Sequence, residues 1–102
     1  MDKWIIDDAS KEAVISAIKH NDALVGKWSS FESDVTDNPF YHPKAKRIEK
    51  LKGKTTFPTG TYRYRKDPLR VIYFPDKSTQ TVYPLEAASA TDISYKKRTK
   101  GR

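Results

Sequence analysis

No cysteine occurs among the 102 residues, which excludes disulfide bonds, thiolate catalysis and cysteine-ligated zinc. Histidine is nearly missing too: His20 and His42 are too few for a histidine-rich metal centre. No metal or other cofactor is expected. No apolar run approaches the roughly 20 residues a helix needs to cross a bilayer. The opening segment MDKWIIDDAS has no charged-then-apolar leader, so no secretory signal is expected and the cytoplasm is the expected compartment. The patterns G-x-x-x-x-G-K, G-x-S-x-G and H-E-x-x-H are absent, leaving nucleotide hydrolysis, esterase and zinc-protease chemistry without motif support. Leu, Ile, Val and Phe together fill only 20 positions, near the lower limit for a packed core. Six Tyr, four Phe and two Trp lift the chain clear of disorder, because each ring can bury a large area.

Positive charge is abundant. There are 20 Lys+Arg against 13 Asp+Glu, a net charge of +7. Residues 1–37 carry four basic and eight acidic side chains, while residues 38–102 carry 16 basic and five acidic ones. One half is thus acidic and the other strongly basic, as expected of a domain that turns one side to a polyanion. A solvated surface serving only solubility is the plainer alternative.

The length fits one domain over 1–102, with 96–102 a basic, flexible tail. Trp4-Ile5-Ile6 reads as an opening strand. Asp8 can cap a helix over about 9–19, in which Val14 and Ile18 form an apolar stripe. Asp22 can cap a second helix over about 23–35, with Leu24, Trp28, Phe31 and Val35 at helical spacing. Residues 39–60 form a basic connection, either a loop or one or two helical turns begun by Pro43 and closed by Gly53. Three strands follow over about 61–66, 69–74 and 79–85, joined by turns short enough to make them antiparallel neighbours. Pro84 marks an edge or a bulge. The expected fold is α+β, in strand–helix–helix–three-strand order, with an antiparallel sheet packed against a helical hairpin.

The first hairpin carries most of the chemistry. An even-numbered loop centred on Asp67-Pro68 sets Arg65 opposite Arg70 and Tyr64 opposite Val71. One face then carries Tyr62, Tyr64, Val71 and Tyr73 and suits helix packing. The other carries Arg63, Arg65 and Arg70 with Ile72 and Phe74. Like charges directly opposed on a sheet cost a few tenths to about 1 kcal/mol. That cost is understandable if a phosphate or carboxylate sits between them, since guanidinium donors match such oxygens. Internal ion pairs with Glu49, Glu86 or Asp76 are the competing outcome. Lys44, Lys46, Arg47, Lys50, Lys52 and Lys54 supply a basic stretch, and Lys96, Lys97 and Arg98 a second one. Both are candidates for RNA phosphates. Tyr95 is a candidate for base stacking, and His42 for acid–base work near neutral pH.

Leu51-Lys52-Gly53, Tyr62-Arg63-Tyr64-Arg65, Leu69-Arg70-Val71-Ile72-Tyr73 and Tyr95-Lys96-Lys97 together resemble the RelE/ParE superfamily of toxins from type II toxin–antitoxin systems. The resemblance implies that family's compact fold, a cognate antitoxin that wraps the protein, and ribosome-dependent cleavage of mRNA in the A site. It places Arg63 and Arg65 at basic active-site positions, Arg70 on the phosphate-gripping arginine, and Tyr95 on the tyrosine that stacks on a base. Two departures stand out. Ser89 replaces an arginine, and Arg65 replaces the lysine that acts as base; an arginine with a pKa above roughly 12 is a poor base. Glu49, His42 or a nearby lysine would then take the proton. The resemblance also admits a ParE-like toxin that inhibits DNA gyrase without cleaving RNA, or a degraded module that only binds its antitoxin.

Overall fold

The computed structural model describes residues 3–52 and 56–93. The backbone runs β1 (Ile5–Ile6), α1 (Asp8–Ile18), α2 (Asp22–Asp37), β2 (Ile48–Lys50), β3 (Tyr62–Lys66), β4 (Leu69–Asp76) and β5 (Thr81–Ser89). It is an α+β fold in which two helices pack on one face of a five-stranded mixed sheet, ordered β1-β5-β4-β3-β2. No described helix is long and apolar enough to cross a membrane.

Both helices start one residue earlier than expected, because two good capping residues stand side by side at each start. Asp7, in extended backbone, accepts the Ser10 N–H at 2.9 Å, leaving Asp8 as the first helical residue. Those Ser10 hydrogen bonds hold the Asp7 carboxyl below the usual aspartate range. Asn21 Oδ1 likewise accepts the N–H groups of Ala23 and Leu24. The helices then bury the stripes their spacing implies: Val14 and Ile18 from α1, and Leu24, Trp28, Phe31 and Val35 from α2. Glu32 ties the pair together, accepting Trp28 Nε1–H at 2.6 Å and pairing with Lys11 Nζ at 2.8 Å.

The sheet departs from the expected three antiparallel strands. β1 joins its far edge in parallel, pairing Ile5 with Thr81 and Ile6 with Val82. The basic connection forms no helical turn before β2. Its residues 48–50 pair antiparallel with β3, Ile48 opposite Tyr64 and Glu49 opposite Arg63. Main-chain bonds from Arg65 N–H to Arg47 O (2.8 Å) and Leu51 N–H to Thr61 O (2.9 Å) extend this edge beyond the strand proper. An unpaired β3 edge satisfied by the nearest extended segment outweighs three residues of helical propensity. β5 continues past Leu85 to Ser89 and passes Pro84 through a bulge, where Tyr73 pairs with Pro84, Ile72 with Glu86, and Leu85 is skipped.

Alternation on β3 and β4 sends Tyr64, Leu69, Val71 and Tyr73 to the helices, all fully buried. Phe31 is the keystone of that layer. Its ring meets Trp28 at 4.7 Å, Tyr64 at 5.2 Å and Tyr73 at 5.6 Å between centroids. Phe31→Ala removes these contacts and leaves a cavity, at a cost of about 3–5 kcal/mol. Chemical denaturation is expected to show that loss, and a variant within about 1 kcal/mol of the parent would contradict the packing described.

Candidate nucleic-acid interface

The β3–β4 turn is Asp67-Pro68, joined by a cis peptide bond, and the register pairs Arg65 with Arg70 and Tyr64 with Val71. Arg63, Arg65 and Arg70 therefore share the sheet face opposite the helices. They are not equivalent there. Arg63 is bonded to Glu49, its cross-strand partner, and its Nη2 also reaches Lys46 O at 3.4 Å. Arg70 donates to Asp67 at 2.8 Å and to Leu69 O at 3.1 Å, and its side chain is only 8% exposed. Arg65 lies 3.9 Å from the same Asp67 and is 39% exposed, the most accessible of the three. The expected single pocket of three converging guanidinium groups is thus subdivided: Arg63 and Arg70 each hold an internal carboxylate. The holders are themselves wet, Glu49 being 49% and Asp67 71% exposed, so each can turn to solvent once another anion takes its place. Nε of Arg63 and Nε of Arg70 are buried and donate to nothing among the described residues.

Beside this face the basic segment folds into a cleft. Lys46 adopts a left-handed backbone, φ 66°, which turns the chain sharply before β2. Lys44, Lys46, Arg47, Arg65 and Lys66 surround a volume of about 210 Å³, with Asp67 the one acid on its wall. A second cleft of about 400 Å³ lies along β2, between Glu49, Lys50, Lys52 and Arg63. Five cations around one acid make the first cleft a strong anion attractor.

What holds the basic segment against the core is Asp34, a residue the sequence alone did not single out. Its carboxylate accepts the Tyr64 hydroxyl proton at 2.6 Å, and it stands 3.5 Å from His42 Nε2 and 3.7 Å from Arg47 Nη1. Burial, with the Asp34 charge added, pushes the Tyr64 hydroxyl well above the usual tyrosine range. Arg47 therefore lines the cleft with its head turned inward, 6.0 Å above the Tyr64 ring. His42 helps fasten the segment: its Nδ1 accepts the Lys44 N–H at 3.0 Å while Nε2 faces Asp34. Ser89 pairs with the core residue Leu69, so the residue opposite Arg70 is Ala88. Tyr95, Lys54, Lys96, Lys97 and Arg98 lie outside the described residues.

Asp67 titrates below the ordinary aspartate value of 3.8, chiefly through the Arg70 hydrogen bond and then through its charge. The folded-state value is depressed, so the stabilisation is complete above 3.8 and disappears as the pH falls through the lower folded-state value. Carboxyl-carbon NMR is expected to give Asp67 a midpoint below 3.8 that moves upward in Arg70→Gln. An unmoved midpoint would contradict the clamp. No protein-family model matches the chain, and no curated protein matches it either.

Proposed function

We propose that this protein is the toxin component of a type II toxin–antitoxin system, engaging ribosome-bound mRNA through its arginine face and cutting it. The observation that carries the reading is Arg65 set beside a cleft of Lys44, Lys46, Arg47 and Lys66, with Arg63 and Arg70 on the same side of the sheet. Phosphates neutralised by such a cluster release counterions, and the gain grows with each contact. The RelE/ParE resemblance of residues 51–97 supplies the biological setting, including a cognate antitoxin and the cytoplasm.

In this reading an RNA phosphate displaces the exposed Glu49 and Asp67 carboxylates from Arg63 and Arg70. The freed guanidinium groups then meet charge that develops on the phosphorus oxygens. The 2′-hydroxyl oxygen attacks the adjacent phosphorus, the bond to the 5′-oxygen breaks, and the products are a 2′,3′-cyclic phosphate and a 5′-hydroxyl. Glu49, once released from Arg63, is a carboxylate on the arginine face able to take the 2′-proton, and a neighbouring lysine can protonate the leaving oxygen.

One observation favours a second reading, a toxin or antitoxin-binding module that cleaves nothing, including a ParE-like inhibitor of DNA gyrase. Arg63 and Arg70 already hold carboxylates, and the register puts Ala88 opposite Arg70.

Arg65→Ala is the cleanest probe, because Arg65 is exposed where Arg70 is structural. Induced expression in bacteria, with mRNA 5′ ends mapped, is expected to give codon-phased cuts that require translation. In the folded Arg65→Ala variant, cutting falls roughly 10²-fold or more. Undiminished growth inhibition in that variant would overturn the reading, and DNA damage with intact mRNA would select the gyrase alternative.

A further inference from the structure

At the end of the sheet away from the Asp67-Pro68 turn lies a third cleft, of about 350 Å³, that the arginine face does not use. Its walls include the rings of Phe40, Tyr62 and Phe74, the exposed ammonium groups of Lys50 and Lys77, and one carboxylate, Asp76. Phe40 and Tyr62 are held in place. Phe40 meets Trp4 edge-on at 5.4 Å and Tyr62 edge-on at 5.4 Å, and Tyr62 stacks on the buried Tyr73 at 6.2 Å. The Tyr73 hydroxyl in turn donates to Pro39 O at 2.6 Å, fixing the chain just before Phe40. Gly60, at φ 93°, passes Phe74 so closely that a Cβ there would sit 3.4 Å from the ring.

The charges are arranged as well. Lys77 Nζ lies 5.3 Å from the centre of the Phe40 ring. Asp76 is occupied by Ser78, whose N–H and hydroxyl donate to it at 3.0 and 2.7 Å. Two exposed cations therefore face the cleft, while its single acid is bound within a turn. Lys50 lines this cleft and also the one that contains Arg63, so the two adjoin at that residue. Along β3 the arginines alternate with Tyr62 and Tyr64 on the opposite face, so this cleft meets the arginine face across the end of the sheet, where Phe74 of β4 lies on the arginine side.

A positive track ending in a rigid aromatic platform is the general solution for holding a single nucleic-acid strand, with phosphates on the cations and a base on the rings. An apolar peptide has no use for Lys50 and Lys77, and a bare phosphate has none for the rings. We propose that the cleft between Phe40, Tyr62 and Phe74 is a stacking site for one base of a single-stranded RNA whose backbone runs past Lys50 toward Arg63. This site rests on the RNA reading above and adds a contact remote from the reacting phosphate.

The test uses the full chain and backbone-amide NMR, with adenosine 5′-monophosphate and a short oligouridylate as probes. Both are expected to shift the amides of Gly60, Lys77 and Ser78, and the oligonucleotide also those of Arg63 and Arg65. Lys77→Glu and Phe74→Leu are each expected to weaken oligonucleotide binding about five- to tenfold. Phe74→Leu keeps apolar bulk and removes the π-face, and circular dichroism checks that both variants fold. If the oligonucleotide binds and moves only Arg63, Arg65 and the Lys44–Arg47 segment, the stacking site is wrong while RNA binding stands. Absence of any binding overturns both. Equal shifts at Gly60 and Lys77 from polyglutamate would make the cleft a general anion site and overturn the base assignment.

Discussion

The alternation Tyr62-Arg63-Tyr64-Arg65 on β3 is the constraint from which the rest of the molecule follows. A strand sends successive side chains to opposite faces, so aromatic burial on one side dictates guanidinium display on the other. The register is fixed from the core side. Tyr64 is fully buried, packs against Phe31 and donates its hydroxyl proton to Asp34 on α2. A one-residue slip would bury Arg63 and Arg65 among the helices and break the Asp34 bond. The same carboxylate stands near His42 and Arg47, so the element that orients the arginines also anchors the basic segment beside them.

The arginine face balances stability against availability. Arg65 opposite Arg70 is a like-charge pair, and the structure relieves it with Asp67 from the intervening turn. Asp67 and Glu49 are exposed carboxylates holding less exposed guanidinium groups. In such a pair the cation is fixed by packing and the anion is the exchangeable member. With the Arg63 and Arg70 side chains only 14% and 8% exposed, loss of the carboxylate alone would leave a buried charge unpaired, so the exchange proceeds only as an incoming phosphate takes the carboxylate's place. This arrangement keeps the face intact without a ligand and leaves it competent to take one.

Much of the fold was legible because it depends on short-range periodicity. Leu24, Trp28, Phe31 and Val35 announce a helix face, and all four are buried. The two-residue connection between β3 and β4 by itself fixes the pairing of Arg65 with Arg70. Other features depend on distant partners. Ile48-Glu49-Lys50 becomes a strand because β3 offers an open edge, a fact absent from its own composition. Asp34 meets Tyr64 across 30 residues of chain, so nothing near it in sequence reveals its role. Internal pairing of the arginines was foreseeable in kind, and Glu49 is the partner of Arg63. Asp67, three residues before Arg70, was the local signal for the other clamp. The aromatic cleft draws on Phe40, Tyr62 and Phe74 from three separate segments, and only folding brings them together.

In the proposed function these guanidinium groups meet phosphates, and the salt dependence of single-stranded RNA binding reads that contact directly. The logarithm of the association constant should fall linearly with the logarithm of salt concentration. In Arg65→Ala the slope should be shallower by about 0.7, the value of one lost phosphate contact on a single strand. Binding insensitive to salt, or an identical slope in the two proteins, would contradict it.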